Sequence, residues 1–152
     1  MTFKPQPGSA VVSPERPEPG QPLKRAGGPP IVAVSGVKNS GKTSLLAALI
    51  PLFRARGLRV GLIKHDGHDF SPDVPGRDSR RLREAGAEAV AVYSPRRYMV
   101  TAEKAGVEID DLLPHFAGVD LVMLEGGKDS PYPKIEVLRA AVSSQPVCRP
   151  ET

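Results

Sequence analysis

Short runs of apolar residues alternate along this chain with segments whose apolar residues recur at helical spacing. Residues 31–35 form a β-branched run that is typical of a strand buried on both faces. Residues 42–56 place leucines three and four positions apart, which predicts a helix that ends at Gly57. The same patterns predict strands at 60–63, 89–93, 98–100, 121–124 and 134–138, and helices at 78–85 and 108–116. This alternation indicates an α/β fold with a mostly parallel sheet.

Proline divides the chain of 152 residues into unequal parts. Eight of its 17 prolines lie in the first 30 residues, where they block helix and sheet hydrogen bonding. We therefore predict a disordered leader over residues 1–28, one folded domain over 29–139 and an irregular tail over 140–152. The leader is either a recognition arm for a proline-binding groove or a passive extension, and the passive reading is favoured.

The composition argues against several classes of protein. No stretch approaches the ~20 apolar residues that cross a bilayer, and the N-terminus lacks the apolar core of a secretory signal. We therefore expect no membrane association, and the single cysteine, Cys148, fits a reducing cytoplasm. The net charge of +4 suits anionic ligands in general. Because the four Phe and three Tyr residues are scattered, nucleic acid is not an expected partner.

The strongest chemical signal is a glycine-rich loop between the first strand and the first helix, matching the pattern G-x-x-x-x-G-K-[S/T]. We call residues 36–43 the phosphate loop. Its residues, with the one that follows, are Gly36, Val37, Lys38, Asn39, Ser40, Gly41, Lys42, Thr43 and Ser44. In such loops backbone N–H groups converge on phosphate oxygens, the lysine reaches the β- and γ-phosphates, and the threonine hydroxyl binds Mg²⁺. A nucleotide site is favoured over a chance match.

An acid directly follows the apolar strand at 121–124. Ligands of doubly wound sheets bind at the carboxyl ends of the strands, so Glu125 is placed to hold Mg²⁺ or to orient an attacking water. The alternative is a solvated loop acid, which we favour less. Asp120 precedes the same strand and should lie at the opposite end of the sheet.

A polar loop follows the strand at 60–63 and should face the same crevice. It carries His65 and His68, with aspartates beside them, and runs on to Asp78 at the start of a predicted helix. Three-residue spacing on a loop is weak evidence for zinc. Contact with an anionic ligand or with Mg²⁺ is the favoured role of these side chains.

Four stretches together carry a family resemblance. They are Gly36 to Thr43, Lys64-His65-x-x-His68 with Asp73-x-Pro-Gly-Arg-Asp-Ser79, Asp120-Leu-Val-Met-Leu-Glu-Gly126, and Pro133-Lys-Ile-Glu-Val-Leu-Arg139. On these residues the folded part resembles, almost from end to end, the molybdopterin-guanine dinucleotide biosynthesis adapter family (MobB). The phosphate loop alone identifies only a superfamily, whereas His-x-x-His followed by Pro-Gly-Arg-Asp-Ser is specific.

The resemblance implies a three-layer P-loop NTPase fold and a cytoplasmic protein that binds GTP, hydrolyses it weakly at most and forms a homodimer. Its partner would be the guanylyltransferase that attaches GMP to molybdopterin, and molybdopterin itself is a further candidate ligand. By position, the phosphate loop and Ser44 would hold GTP, and Thr43 and Glu125 would hold Mg²⁺, with Glu125 as the candidate catalytic residue. His65, His68 and Asp78 would line the crevice.

Two expectations qualify this interpretation. Members of the family continue past the strand at 134–138 into another strand and a terminal helix, so the tail at 140–152 is expected to be truncated relative to them. No Asn-Lys-x-Asp segment follows a strand, so guanine preference rests on the resemblance. The alternative function is a small-molecule kinase or another P-loop ATPase, for which the arginine-rich helix at 78–85 is the candidate lid.

Overall fold

A parallel four-stranded sheet forms the centre of the computed structural model, which describes residues 28–68, 70 and 78–149. Its strands are β1 (Ile31–Ser35), β2 (Val60–Lys64), β5 (Leu121–Glu125) and β6 (Lys134–Glu136). Their spatial order is β2-β5-β1-β6. Residues 1–27 of the expected leader and 150–152 of the expected tail lie outside the described residues.

The strand register places three chain segments beside one another at the carboxyl edge of the sheet. Val34 and Lys64 both pair with Glu125, and Ser35 pairs with Glu136. The loop that leaves β1 therefore lies between the ends of β5 and β6. The α/β prediction with a mostly parallel sheet is confirmed.

Helices cover both faces of the sheet. Helix α1 (Lys42–Ala55) packs Leu46 against Val34 and Met123 on one face. On the other face the short helix α3 (Ile109–Leu112) and the 3₁₀ turn Leu113–Phe116 pack on a core of five aliphatic residues and a tyrosine. That core is made of Ile31, Ala33, Ile63, Val122, Leu124 and Tyr132. The result is a three-layer arrangement, which buries strands that are apolar on both sides.

The helix expected over 108–116 is divided in two. Glu108 and Asp111 form a reciprocal capping box at its start, so the first turn is well specified. Pro114 lacks the N–H that would continue an α-helix, and the chain passes into the 3₁₀ turn after Leu112. Among the described residues, no helix is both long enough and apolar enough to span a bilayer.

Residues 89–102 form a separate hairpin that the strand pattern did not place. β3 (Ala89–Ser94) and β4 (Arg97–Ala102) pair antiparallel, and β3 contacts α2 (Asp78–Glu84). The two strands were expected, but neither joins the parallel sheet. A two-residue connection can only return the chain antiparallel, whereas a parallel strand requires a long crossover. Both faces of the hairpin are largely exposed, and Tyr93 is 86% exposed.

The amino edge of the sheet is fastened by one ion pair. Asp120 accepts hydrogen bonds from the backbone N–H, Nε and Nη2 of Arg59, at 2.8–3.0 Å. These bonds hold the pKa of Asp120 at about 2, below its ordinary value, chiefly through the Arg59 side chain. Asp120 thus lies at the end of β5 opposite to Glu125, as expected.

Candidate functional site

The phosphate loop is shaped by residues in left-handed backbone conformations. Gly36, Asn39 and Gly41 have φ angles of 134°, 64° and 106°. A Cβ atom on Gly36 would lie 2.5 Å from the backbone oxygen of Val137 and 2.9 Å from Ser40 Oγ. Only glycine fits there, because the loop is pressed against the end of β6.

The loop presents free backbone donors at the start of α1. The first N–H groups of any helix lack intrahelical acceptors. Gly41, the N-cap residue, has no side chain that could accept from them. Within the described residues, the N–H groups of Lys42, Thr43 and Ser44 have no hydrogen-bond acceptor. Together with the positive end of the helix dipole, these donors suit an anionic group such as a phosphate.

Lys42 folds back over the loop that precedes it. Its ammonium group donates to the backbone oxygens of Gly36 at 2.9 Å and Val37 at 2.8 Å. The positive charge is therefore held inside the curve of the loop. A phosphate placed there would meet this charge and the free N–H groups together, which suits binding of an anion.

Thr43 and Glu125 meet across 82 residues of sequence. The Thr43 hydroxyl donates to Glu125 Oε1 at 2.5 Å, and Glu125 is only 6% exposed. The contact exists because β5 lies next to β1, so that the end of β5 faces the first turn of α1. The pair offers two oxygen atoms, and Mg²⁺ is bound through one or two protein oxygens with water completing its shell. The donor set fits Mg²⁺.

Ser35 belongs to the candidate site although it lies outside every motif of the sequence. It is 0% exposed, and its hydroxyl donates to the backbone oxygen of Gly126 at 2.7 Å, while the Gly126 N–H donates to Val34 at 2.9 Å. Both backbone groups of Gly126 are thus held by β1, which fixes the turn that follows Glu125. A serine inside a run of buried β-branched residues was the available signal.

His65 borders Glu125, whereas His68 lies farther along the loop. The His65 N–H donates to the backbone oxygen of Glu125 at 2.9 Å, and its imidazole packs beside Gly126. His68 is exposed, and its N–H donates to Asp66 Oδ1 at 3.3 Å. In the part of the chain that the structure describes, no three His, Cys, Asp or Glu side chains converge as for a metal. Asp69 and residues 71–77 lie outside that part.

Asp78 begins α2 with its side chain 93% exposed, and its ion-pair partner is Arg81 at 3.9 Å. Two other arginines of the helix also pair with acids, Arg80 with Glu84 and Arg83 with Glu103. Among the described residues, no hydrogen bond or ion pair joins Asp78 to the phosphate loop. Its expected place in the crevice therefore stays a prediction.

Comparison with known proteins decides the family. The model of the family described as "MobB: Molybdopterin guanine dinucleotide synthesis protein B" matches residues 31–152. The chain belongs to the MobB family. The resemblance drawn from the four sequence stretches is thereby confirmed.

Individual members of the MobB family agree with this assignment. The molybdopterin-guanine dinucleotide biosynthesis adapter protein of Escherichia coli K12 is 38% identical over 122 residues, covering 77% of this chain and 70% of that protein. The protein of the same name from Haemophilus influenzae is 40% identical over 109 residues, covering 70% of this chain but only 61% of its own length. The crystal structure of Bacillus subtilis MobB superposes with a TM-score of 0.61 at 34% identity, covering 72% of this chain and 68% of the other.

Proposed function

We propose that this MobB-family chain is an adapter in molybdopterin guanine dinucleotide biosynthesis and that it binds GTP with Mg²⁺ at the phosphate loop. The main support for a nucleotide site is the 2.5 Å contact between Thr43 and Glu125, which lies beside the free N–H groups at the start of α1. The names of the E. coli and H. influenzae relatives support the pathway.

The chain's own groups divide the work of binding. Lys42 would exchange its bonds to the backbone oxygens of Gly36 and Val37 for bonds to phosphate oxygens. Thr43 and Glu125 would hold Mg²⁺, which neutralises charge on the terminal phosphates when it is bound. The N–H groups of Lys42 and Ser44 would orient the same phosphates.

The site favours binding over turnover. Glu125 is its one buried carboxylate among the described residues, and its Oε1 already accepts the Thr43 hydroxyl. In the proposal this carboxylate serves the metal side, and no second buried carboxylate of the described residues stands beside it to activate water. Weak GTPase activity at most is therefore part of the proposal.

The remaining assignments follow from family membership. We propose the guanylyltransferase of this pathway as the partner, molybdopterin as a further ligand, a homodimer as the assembly and the cytoplasm as the location. The exposed apolar side chains of the β3–β4 hairpin, among them Val92 and Met99, support a self-association surface. The kinase alternative is not retained, because the E. coli and H. influenzae relatives are named as adapters.

A reconstituted guanylyl-transfer reaction tests the proposal. The guanylyltransferase, molybdopterin and GTP are combined with and without this chain, and the rate of dinucleotide formation is measured. We expect the wild-type chain to raise the rate and the Lys42→Ala variant to leave it unchanged. Arg54→Ala, which removes an exposed cation from the last turn of α1, at the end away from the phosphate loop, is the control and should act as the wild type. No stimulation by the wild type would contradict the adapter role.

A further inference from the structure

The described end of the chain returns to the carboxyl edge of the sheet on the side of β1 opposite to β5. Glu136 pairs with Ser35, the residue before the phosphate loop. The next residue, Val137, donates its N–H to the Ser35 backbone oxygen at 2.9 Å. The backbone oxygen of Val137 lies so close to Gly36 that it leaves no room for a Cβ atom there. The end of β6 and the start of the phosphate loop are therefore in direct contact.

Glu136 fastens a later segment to this place. Its Oε1 accepts the N–H of Val147 at 2.5 Å, and both carboxylate oxygens lie 3.3 Å from the N–H of Cys148. We call residues 143–149 the end segment. Its hydrogen bonds at Ser143 and Gln145 are local, so the carboxylate supplies a long-range attachment. Charge-assisted bonds of this kind are about twice as strong as neutral ones.

The end segment also reaches the last residue of β1. Burial raises the pKa of the Cys148 thiol above its ordinary value, and the neighbouring Ser35 hydroxyl acts on this pKa in the opposite direction. Ser35 itself is fully buried and holds the turn after Glu125. The end segment is thus packed against the strand that leads into the phosphate loop.

The positions of Thr43 and Glu125, the proposed Mg²⁺ ligands, imply an orientation for a bound nucleotide. Mg²⁺ would neutralise charge on the terminal phosphates of a nucleoside triphosphate, so the residues that would hold it mark the end of the molecule away from the nucleoside. Thr43 and Glu125 would put that end on the β5 side of β1. A nucleoside at the other end of the phosphate chain would then extend toward β6, which lies on the other side of β1.

We infer that the end segment, positioned by Glu136, forms the wall against which the nucleoside of the bound nucleotide rests. The inference rests on the proposed nucleotide site and adds to it a surface that recognises the part of the ligand beyond the phosphates. Glu136 is a positioning residue in this account, since it acts through the backbone that it holds.

Calorimetric titration of the full chain separates this role from a general loss of structure. The variant is Glu136→Gln, and the probes are a slowly hydrolysed GTP analogue and inorganic tripolyphosphate, each with Mg²⁺. We expect the variant to bind the analogue about fivefold more weakly, while its affinity for tripolyphosphate changes less than about twofold. Glu103→Gln, which removes an exposed acid paired with Arg83, is the control and should bind both probes as the wild type does.

A measurement on the unmutated chain covers the case in which Glu136→Gln fails to fold. Cys148 is the only cysteine of the chain, so alkylation by a thiol reagent reports on the end segment alone. We expect the GTP analogue with Mg²⁺ to slow alkylation severalfold and tripolyphosphate with Mg²⁺ to leave the rate unchanged.

The possible outcomes distinguish this inference from the proposed function. If the wild type binds neither probe, the nucleotide site itself fails and the wall fails with it. If the wild type binds both probes but Glu136→Gln weakens them equally, or weakens neither, only the wall is overturned. Equal protection of Cys148 by both probes would overturn it as well.

Discussion

The two ends of β5 each carry an acid, and the two acids have opposite surroundings. Asp120 at the amino edge accepts three hydrogen bonds from the backbone N–H and the guanidinium group of Arg59. Glu125 at the carboxyl edge is almost fully buried, yet among the described residues no Lys, Arg or His forms an ion pair with it, and its side-chain partner is the Thr43 hydroxyl. A buried carboxylate is costly without a cation. Protein groups therefore satisfy Asp120, whereas under our proposal Mg²⁺ completes the surroundings of Glu125.

The largest effect is expected from removing the Lys42 ammonium group at the carboxyl edge of the sheet. Lys42→Ala should weaken binding of the GTP analogue roughly a hundredfold or more, because it deletes a charge that lies inside the phosphate loop. Its unfolding temperature should change little, since the ammonium group contacts only two backbone oxygens. Titration and thermal unfolding measure the two quantities. An affinity equal to that of Arg54→Ala, the control at the far end of α1, would contradict the assignment of the loop.

Glu125→Gln tests the metal side of the comparison directly. The variant keeps the size of the side chain and loses the charge, so Mg²⁺ should no longer strengthen nucleotide binding by the roughly tenfold expected for the wild type. Binding in the presence of EDTA should be nearly the same for both proteins. Asp120→Asn is the matched control, because it removes the acid at the other end of the same strand. A Mg²⁺ response retained by Glu125→Gln would assign the metal elsewhere.

A smaller effect is expected from the neighbour of Glu125. Replacing His65 and His68 together by alanine should lower stimulation of the guanylyltransferase a few-fold, since His65 borders Gly126, the residue that follows Glu125. Metal analysis of the purified wild type should find no stoichiometric zinc, so the double variant should not differ from it in zinc content. Stoichiometric zinc that disappears in the double variant would instead make this loop a zinc site.

The smallest effect concerns stability at the amino edge. Arg59 lowers the pKa of Asp120 to about 2 in the folded protein. The contribution of this ion pair to the free energy of unfolding is therefore complete above the ordinary carboxyl pKa and is lost as the pH falls through about 2. Asp120→Asn should therefore unfold at a slightly lower temperature than the wild type at neutral pH, and the difference should disappear near pH 2. Thermal unfolding across this range measures it. A difference that grows toward low pH would reverse the assigned sign.

Local sequence patterns predicted much of this molecule, and long-range pairings account for what they left open. The phosphate loop and α1 are specified by contiguous residues, so spacing alone located them. Placing Glu125 beside Thr43 needed the adjacency of β1 and β5, which the motif context suggested. Ser35 and Gly126 are 91 residues apart, and no periodicity links them. The hairpin strands were found, but their pairing depends on a turn rather than on an apolar pattern.

The deciding measurement is a parallel titration of the full chain with slowly hydrolysed GTP and ATP analogues in the presence of Mg²⁺. We expect one nucleotide bound per chain, a clear preference for the GTP analogue, and loss of that binding in Lys42→Ala. Failure of the wild type to bind either analogue would contradict the nucleotide site. Equal or tighter binding of the ATP analogue would contradict the GTP-dependent adapter.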